Sequence, residues 1–92
     1  MNHSIHYNVD GIHRAIAENQ QIEFRYFDYS LRKRKRYFKK GEVYVVSPWQ
    51  LIYTDDNDYL LAYEEKAGKF KHFRADKIVI YSASSLFAMP KY

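Results

Sequence analysis

Two groups of basic residues dominate the chemistry this sequence could do. Arg32-Lys33-Arg34-Lys35-Arg36, with Lys39 and Lys40, puts seven of the fifteen Lys and Arg into nine positions. Such a run is either a solvated loop whose charges repel one another, or a guide that draws phosphate in by long-range, salt-sensitive attraction. Tyr37 and Phe38 interrupt it. Rings among cations suit stacking on bases, and they equally suit anchoring a loop. The second group lies in Lys69–Arg74 and continues to Lys77. Strand alternation puts Phe70, His72 and Arg74 on one face and Lys71 and Phe73 on the other. A guanidinium held on a strand can grip an anion at two points. The competing use of Arg74 is a structural salt bridge to Asp76 or Asp28.

Catalytic and metal chemistry find little to work with. Of the four histidines, His3 and His6 lie in a polar leader, and none of the four matches a zinc-site spacing. No serine sits in a Gly-x-Ser-x-Gly elbow, and three glycines do not make a phosphate loop. Asp55, Asp56 and Asp58 lack the mid-loop glycine and distal glutamate of a calcium loop, and read as a hairpin turn. The expectation is a binding module with no catalytic residue, no metal and no cofactor.

The elements that must position these side chains follow from periodicity. Residues 1–8 read as a leader. Val9, Ile12 and Ile16 mark one stripe of a helix over 9–20, with Asn8 or Asp10 as cap and Glu18-Asn19-Gln20-Gln21 as its end. Ile22, Phe24 and Tyr26 alternate with Glu23, Arg25 and Phe27 in a strand over 22–29. Leu31–Gly41 is a charged break. Val43–Ser47 and Trp49–Tyr53 are strand segments on either side of Pro48, where the missing N–H calls for a bend or bulge. Asp55-Asp56-Asn57 is a turn. Tyr59–Tyr63 and Lys69–Arg74 form a hairpin with Gly68 at a positive-φ position, and Lys77–Ser82 is the last strand. The fold expected is mainly β with one N-terminal α-helix: about five antiparallel strands in a small barrel, closed or half-closed, over 21–83, with a tail at 84–92.

Composition sets the outer bounds. A chain of 92 residues supports one domain with one core. Aromatics at 18% favour strands. The absence of cysteine excludes disulfides and thiolate metal sites. No apolar run reaches the roughly 18 residues of a membrane span. Met1-Asn2-His3-Ser4 lacks the basic start and apolar stretch of a signal peptide, so a cytoplasmic protein is expected. A net charge of +4 permits a polyanionic partner without demanding one.

Three segments carry a resemblance. Val45-Val46-Ser47-Pro48-Trp49-Gln50-Leu51, Asp58-Tyr59-Leu60-Leu61-Ala62-Tyr63 and Phe73-Arg74-Ala75-Asp76-Lys77-Ile78 follow one another in order. Together they resemble the WYL domain pattern: a Pro-x-x-Leu strand, the Trp-Tyr-Leu tripeptide and an Arg-x-Asp-Arg-Ile-like ending. The opening helix and Ile22-Glu23-Phe24-Arg25-Tyr26 also fit, so the resemblance covers roughly residues 9–82. Asp58 stands where the tripeptide has tryptophan. Lys77 replaces an arginine, keeping charge and losing the planar fork.

The resemblance implies an Sm-like, SH3-type barrel that senses a ligand in bacterial transcription regulators, where it follows a helix-turn-helix domain. It also implies a ligand pocket at Tyr26, Ser47, His72, Arg74 and Lys77. The partner expected is an anion, single-stranded nucleic acid or nucleotide-like, with Arg32, Lys33, Arg34, Lys35, Arg36, Lys39 and Lys40 as electrostatic steering charges. A helix-turn-helix domain of the same full-length protein is a second expected partner if this is an excised domain rather than a stand-alone one. The alternative function is a protein–protein interaction module, for homodimerisation or docking of a neighbouring domain, without a small ligand.

Overall fold

The computed structural model describes residues 3–84, with side chains from Asn8 onward. One helix, α1 (His3–Ala17), precedes β1 (Gln21–Tyr29), β2 (Lys35–Tyr37), β3 (Tyr44–Thr54), β4 (Asn57–Glu64), β5 (Lys69–Arg74) and β6 (Ile78–Ser84). All strand pairs are antiparallel, and β6-β1-β3-β4-β5 curl into a half-barrel. Short β2 pairs only with the outer end of β1, from Phe27↔Tyr37 to Tyr29↔Lys35. The expected class, mainly β with one helix, is therefore the observed one. Of the expected tail, Ser84 closes β6, and the rest lies outside the described residues.

The helix differs from its expected span at both ends. It begins at His3, so most of the expected leader is helical, and Asn8 sits mid-helix instead of capping it. Its end is a Schellman motif: the Gln20 N–H donates to the Ala15 carbonyl at 2.7 Å and Asn19 to Ile16 at 3.2 Å, with Asn19 at φ 52°. Ile12 and Ala15 enter the core completely, while Val9 and Ile16 pack at its margin.

The strands follow their alternation except at Phe27, which is buried on the other face of β1, and at Ser47 and Pro48 of β3, which are buried in succession. Ile22 and Phe24 of β1, Tyr44 and Val46 of β3, Leu60 and Ala62 of β4, and Phe73 of β5 point inward. Phe24 is the centre, stacked on Tyr44 at 5.5 Å and edge-on to Phe73 at 5.0 Å. The bend expected at Pro48 is a bulge, since the β3–β4 register shifts between Pro48 and Gln50. Asp55 and Asp56 both have positive φ, as a two-residue hairpin turn requires, and Gly68 has φ +69°.

The segment 31–41, expected as a charged break, is more ordered than its composition implies. It contains β2 and a 3-10 turn at Phe38–Gly41. Ring packing accounts for this. Tyr37 lies 5.8 Å from Phe27, and Phe38 stacks on Tyr26 at 5.4 Å, so the aromatics that interrupt the charge run hold it to β1.

Candidate functional site

The connection from β5 to β6 gathers charge around a fixed turn. Arg74 ends β5, and Ala75–Lys77 is a single 3-10 turn. Ala75 is fully buried, which pulls the turn onto the core. The buried Asn8 amide of α1 then donates to two of its carbonyls, Ala75 at 3.0 Å and Ile78 at 2.6 Å. Satisfying buried backbone oxygens in this way locks the turn.

Three of the five anticipated pocket residues meet here. The Arg74 backbone N–H donates to the Tyr26 hydroxyl oxygen at 2.8 Å. The Arg74 guanidinium forms a two-point pair with Asp76, Nε to Oδ1 at 3.0 Å and Nη2 to Oδ2 at 2.7 Å. Lys77 Nζ donates to Asp28 Oδ1 at 2.7 Å, and the Tyr29 N–H also donates to that oxygen. Of the two salt bridges open to Arg74, the one to Asp76 is formed. It does not exhaust the fork: five N–H donors serve two bonds to Asp76, and a third of the side chain is open to solvent.

Three groups of the cluster are shifted by their neighbours. Burial, partly offset by the Arg74 N–H bond, pushes the Tyr26 phenol above its ordinary range, so its proton remains available for donation. The hydrogen bond from Arg74 to Asp76 raises the guanidinium further, making its charge permanent. The hydrogen bond from Lys77, followed by that from the Tyr29 N–H, lowers the Asp28 carboxyl.

Of the other two anticipated residues, Ser47 lies elsewhere, whereas His72 borders the cluster, two residues before Arg74 on the same strand face, roughly 7 Å away. Ser47 is buried in β3 opposite Tyr63. Along β4, Tyr63 is four residues from Tyr59, the partner of Arg74, or roughly 13 Å at strand rise. His72 is exposed on the outer face of β5, where it lines a shallow apolar hollow of about 290 Å³ with Ile52, Thr54 and Tyr59. The steering run also divides. Arg32, Lys33, Arg34 and Arg36 are exposed at the β1–β2 hairpin, and Lys35 lies 4.6 Å over the Phe27 ring. Lys39 is no free charge: it pairs with Glu64 at 2.8 Å and sits 4.0 Å over the Tyr44 ring.

The model of the WYL domain family matches residues 7–80. This chain belongs to the WYL domain family. No curated protein matches it. Among solved structures it is similar to Proteasome accessory factor B/C (PafBC) of Arthrobacter aurescens, with a TM-score of 0.70 at 23% identity. That match covers 99% of this chain and 13% of that one, so this WYL domain spans a small part of the larger protein. Among the described residues, no helix is long and apolar enough to cross a membrane.

Two features of this WYL domain were missed from sequence. Glu64 is buried, its side chain 2% exposed, between Lys39 at 2.8 Å and Lys71 at 2.6 Å. Burial works to raise its carboxyl, but the two lysines outweigh it and hold the group below the ordinary range. The signal was available: Glu64 shares the inward parity of Leu60 and Ala62, and a carboxylate there needs a cation. The second feature is the outer sheet face, where Phe70 meets Trp49 at 5.6 Å and Tyr63 at 5.2 Å. Phe70 remains substantially exposed.

Proposed function

We propose that this WYL domain is the effector-sensing domain of a bacterial transcription regulator, a binding module rather than an enzyme, on an Sm-like, SH3-type half-barrel. Its ligand is anionic, single-stranded nucleic acid or nucleotide-like. The observation that carries the reading is the Arg74 fork, oriented by Asp76 and set beside the Tyr26 hydroxyl and Lys77 on a turn that Asn8 locks. Asp76 holds two donors and leaves the outer edge of the guanidinium for a phosphate oxygen. Preorganisation of this kind lowers the ordering cost of binding. The exposed charges Arg32–Arg36 raise the local concentration of a polyanion and speed its arrival. In a full-length regulator, a helix-turn-helix domain would read duplex DNA, and this domain would report the ligand to it.

Binding kinetics with a short single-stranded oligonucleotide at two salt concentrations test this. Arg74→Ala should weaken binding by about 2–3 kcal/mol, mostly through faster dissociation. Arg74→Lys should recover only part of it, because the ammonium has charge without the fork. Wild-type affinity in Arg74→Ala would remove the cluster from the ligand site.

A specific observation favours a second reading, an interaction module. On the outer face Phe70 contacts both Trp49 and Tyr63, with the Ile52–Tyr59 hollow further along. Apolar surface of this kind suits a protein neighbour or a second copy. A dimer mass in solution that Phe70→Ser converts to monomer, together with no oligonucleotide retention at low salt, would favour it over the effector reading.

A further inference from the structure

At the end of β5 remote from Arg74, a cleft of about 490 Å³ is lined by Lys39, Lys40, Lys66 and Lys71 with Glu42 and Glu64. Four cations against two carboxylates leave an excess of two positive charges. The excess begins at Glu64, where Lys39 and Lys71 both close on a single buried carboxylate. Two ammonium groups hold six N–H donors, far more than one carboxylate uses, and about a third of each lysine side chain is open to solvent. Lys40 and Lys66 have no hydrogen-bond or ion-pair partner among the described residues.

The backbone makes the arrangement harder to read as accident. Lys39 and Lys40 lie consecutively in the left-handed region, at φ 56° and 55°, ahead of Gly41 at +87°. Residues other than glycine seldom adopt that conformation, and where they do the surroundings must impose it. Here the turn is held by Lys39 on Glu64 and Tyr44 and by Phe38 on Tyr26, and it brings two lysines to one cleft.

We propose that this cleft is a second anion site, specific for a dianionic phosphate such as the terminal group of a small phosphomonoester. A phosphate monoester carries about two negative charges and three acceptor oxygens, matching the excess charge. Lysines hold phosphate as point charges and need no planar partner. The singly charged diesters of a nucleic-acid backbone match it less well. Lys71 is three residues from Arg74, roughly 10 Å along the strand, and its side chain turns inward to Glu64. The site is therefore separate from the Arg74 cluster, and its occupation does not depend on the effector reading.

The test is a titration of the isotope-labelled 92-residue chain with inorganic phosphate at slightly alkaline pH, where it is a dianion, followed by amide NMR at about 50 and 200 mM salt. The expected result is saturable shifts concentrated at residues 39–42 and 64–71. The Lys40→Gln/Lys66→Gln double variant should weaken binding at these residues at least tenfold, and Arg74→Ala should leave the shifts at residues 39–42 and 64–71 unchanged. The double variant removes only unpartnered lysines, so its spectrum should keep the wild-type dispersion. Non-saturating shifts spread over Arg32–Arg36, undiminished binding in the double variant, or tighter binding of a phosphodiester oligonucleotide at these residues would each overturn the proposal.

Discussion

The two ends of β5 carry ion pairs of similar length and different physics. At one end Glu64 is buried, with two lysines on one carboxylate. At the other, Arg74–Asp76 and Lys77–Asp28 sit in partly exposed surface, each cation with one carboxylate. A buried carboxylate without its cations would face a large desolvation penalty, so the Glu64 pairs are conditions of the fold. The Arg74 and Lys77 pairs exchange with water and stabilise little, which leaves their groups available to a ligand. Distance alone does not separate them, since all four pairs lie between 2.6 and 2.8 Å. Burial does.

The strongest way to break this contrast is Glu64→Gln. It should destabilise the domain by about 2–3 kcal/mol in denaturant unfolding at pH 7, limited because the lysine tips can turn to water. The same variant sharpens the pH behaviour. The Glu64 carboxyl is lowered in the folded state, so its contribution is complete above the unfolded value near about 4.3 and is lost as pH falls through the folded one. Wild type and Glu64→Gln should therefore converge in stability in acid and differ at neutral pH. A gap that stays constant down to about pH 3 would mean that the carboxylate charge does not stabilise the fold.

Next in size is Asn8→Ala, which strips two buried carbonyls of their donor and should cost about 1–2 kcal/mol. Amide exchange in Ala75–Ile78 should rise more than in β3–β4. Uniform exchange would mean that the turn is held by Ala75 burial alone. Arg74→Ala should change stability by less than about 1 kcal/mol, in contrast to its effect on oligonucleotide binding. A large drop in melting temperature would make the Arg74–Asp76 pair structural, like Glu64, and erase the difference between the two ends. The smallest stability effect belongs to the exposed hairpin: neutralising Arg34, Lys35 and Arg36 together should stay within about 0.5 kcal/mol. That variant should slow oligonucleotide association and flatten its salt dependence while leaving dissociation nearly unchanged.

Local order determined much of this protein. Period-2 alternation was enough to put Ile22 and Phe24 on one face of β1, and to part Phe73 from Phe70, His72 and Arg74 on β5, because a strand turns successive side chains to opposite faces. The fold shows that Ile22, Phe24 and Phe73 face the core. Proline without an N–H announced the bulge after Pro48, and Gly68 and Asp55-Asp56 announced their turns. The three WYL segments identified the family over residues that its model also matches. What the sequence left open depends on partners far along the chain. Asn8, which looked like a helix cap, reaches a carbonyl 70 residues away, and Lys77 finds Asp28 across 49. Lys39 and Lys40 read as members of one charge run, yet a left-handed turn sends Lys39 to Glu64, 25 residues on. Periodicity records which face a side chain takes, whereas the choice of partner is made when curling of the sheet brings distant faces together. Only the tertiary structure could therefore separate the cations paired with a buried carboxylate from those paired at the surface or left in solvent.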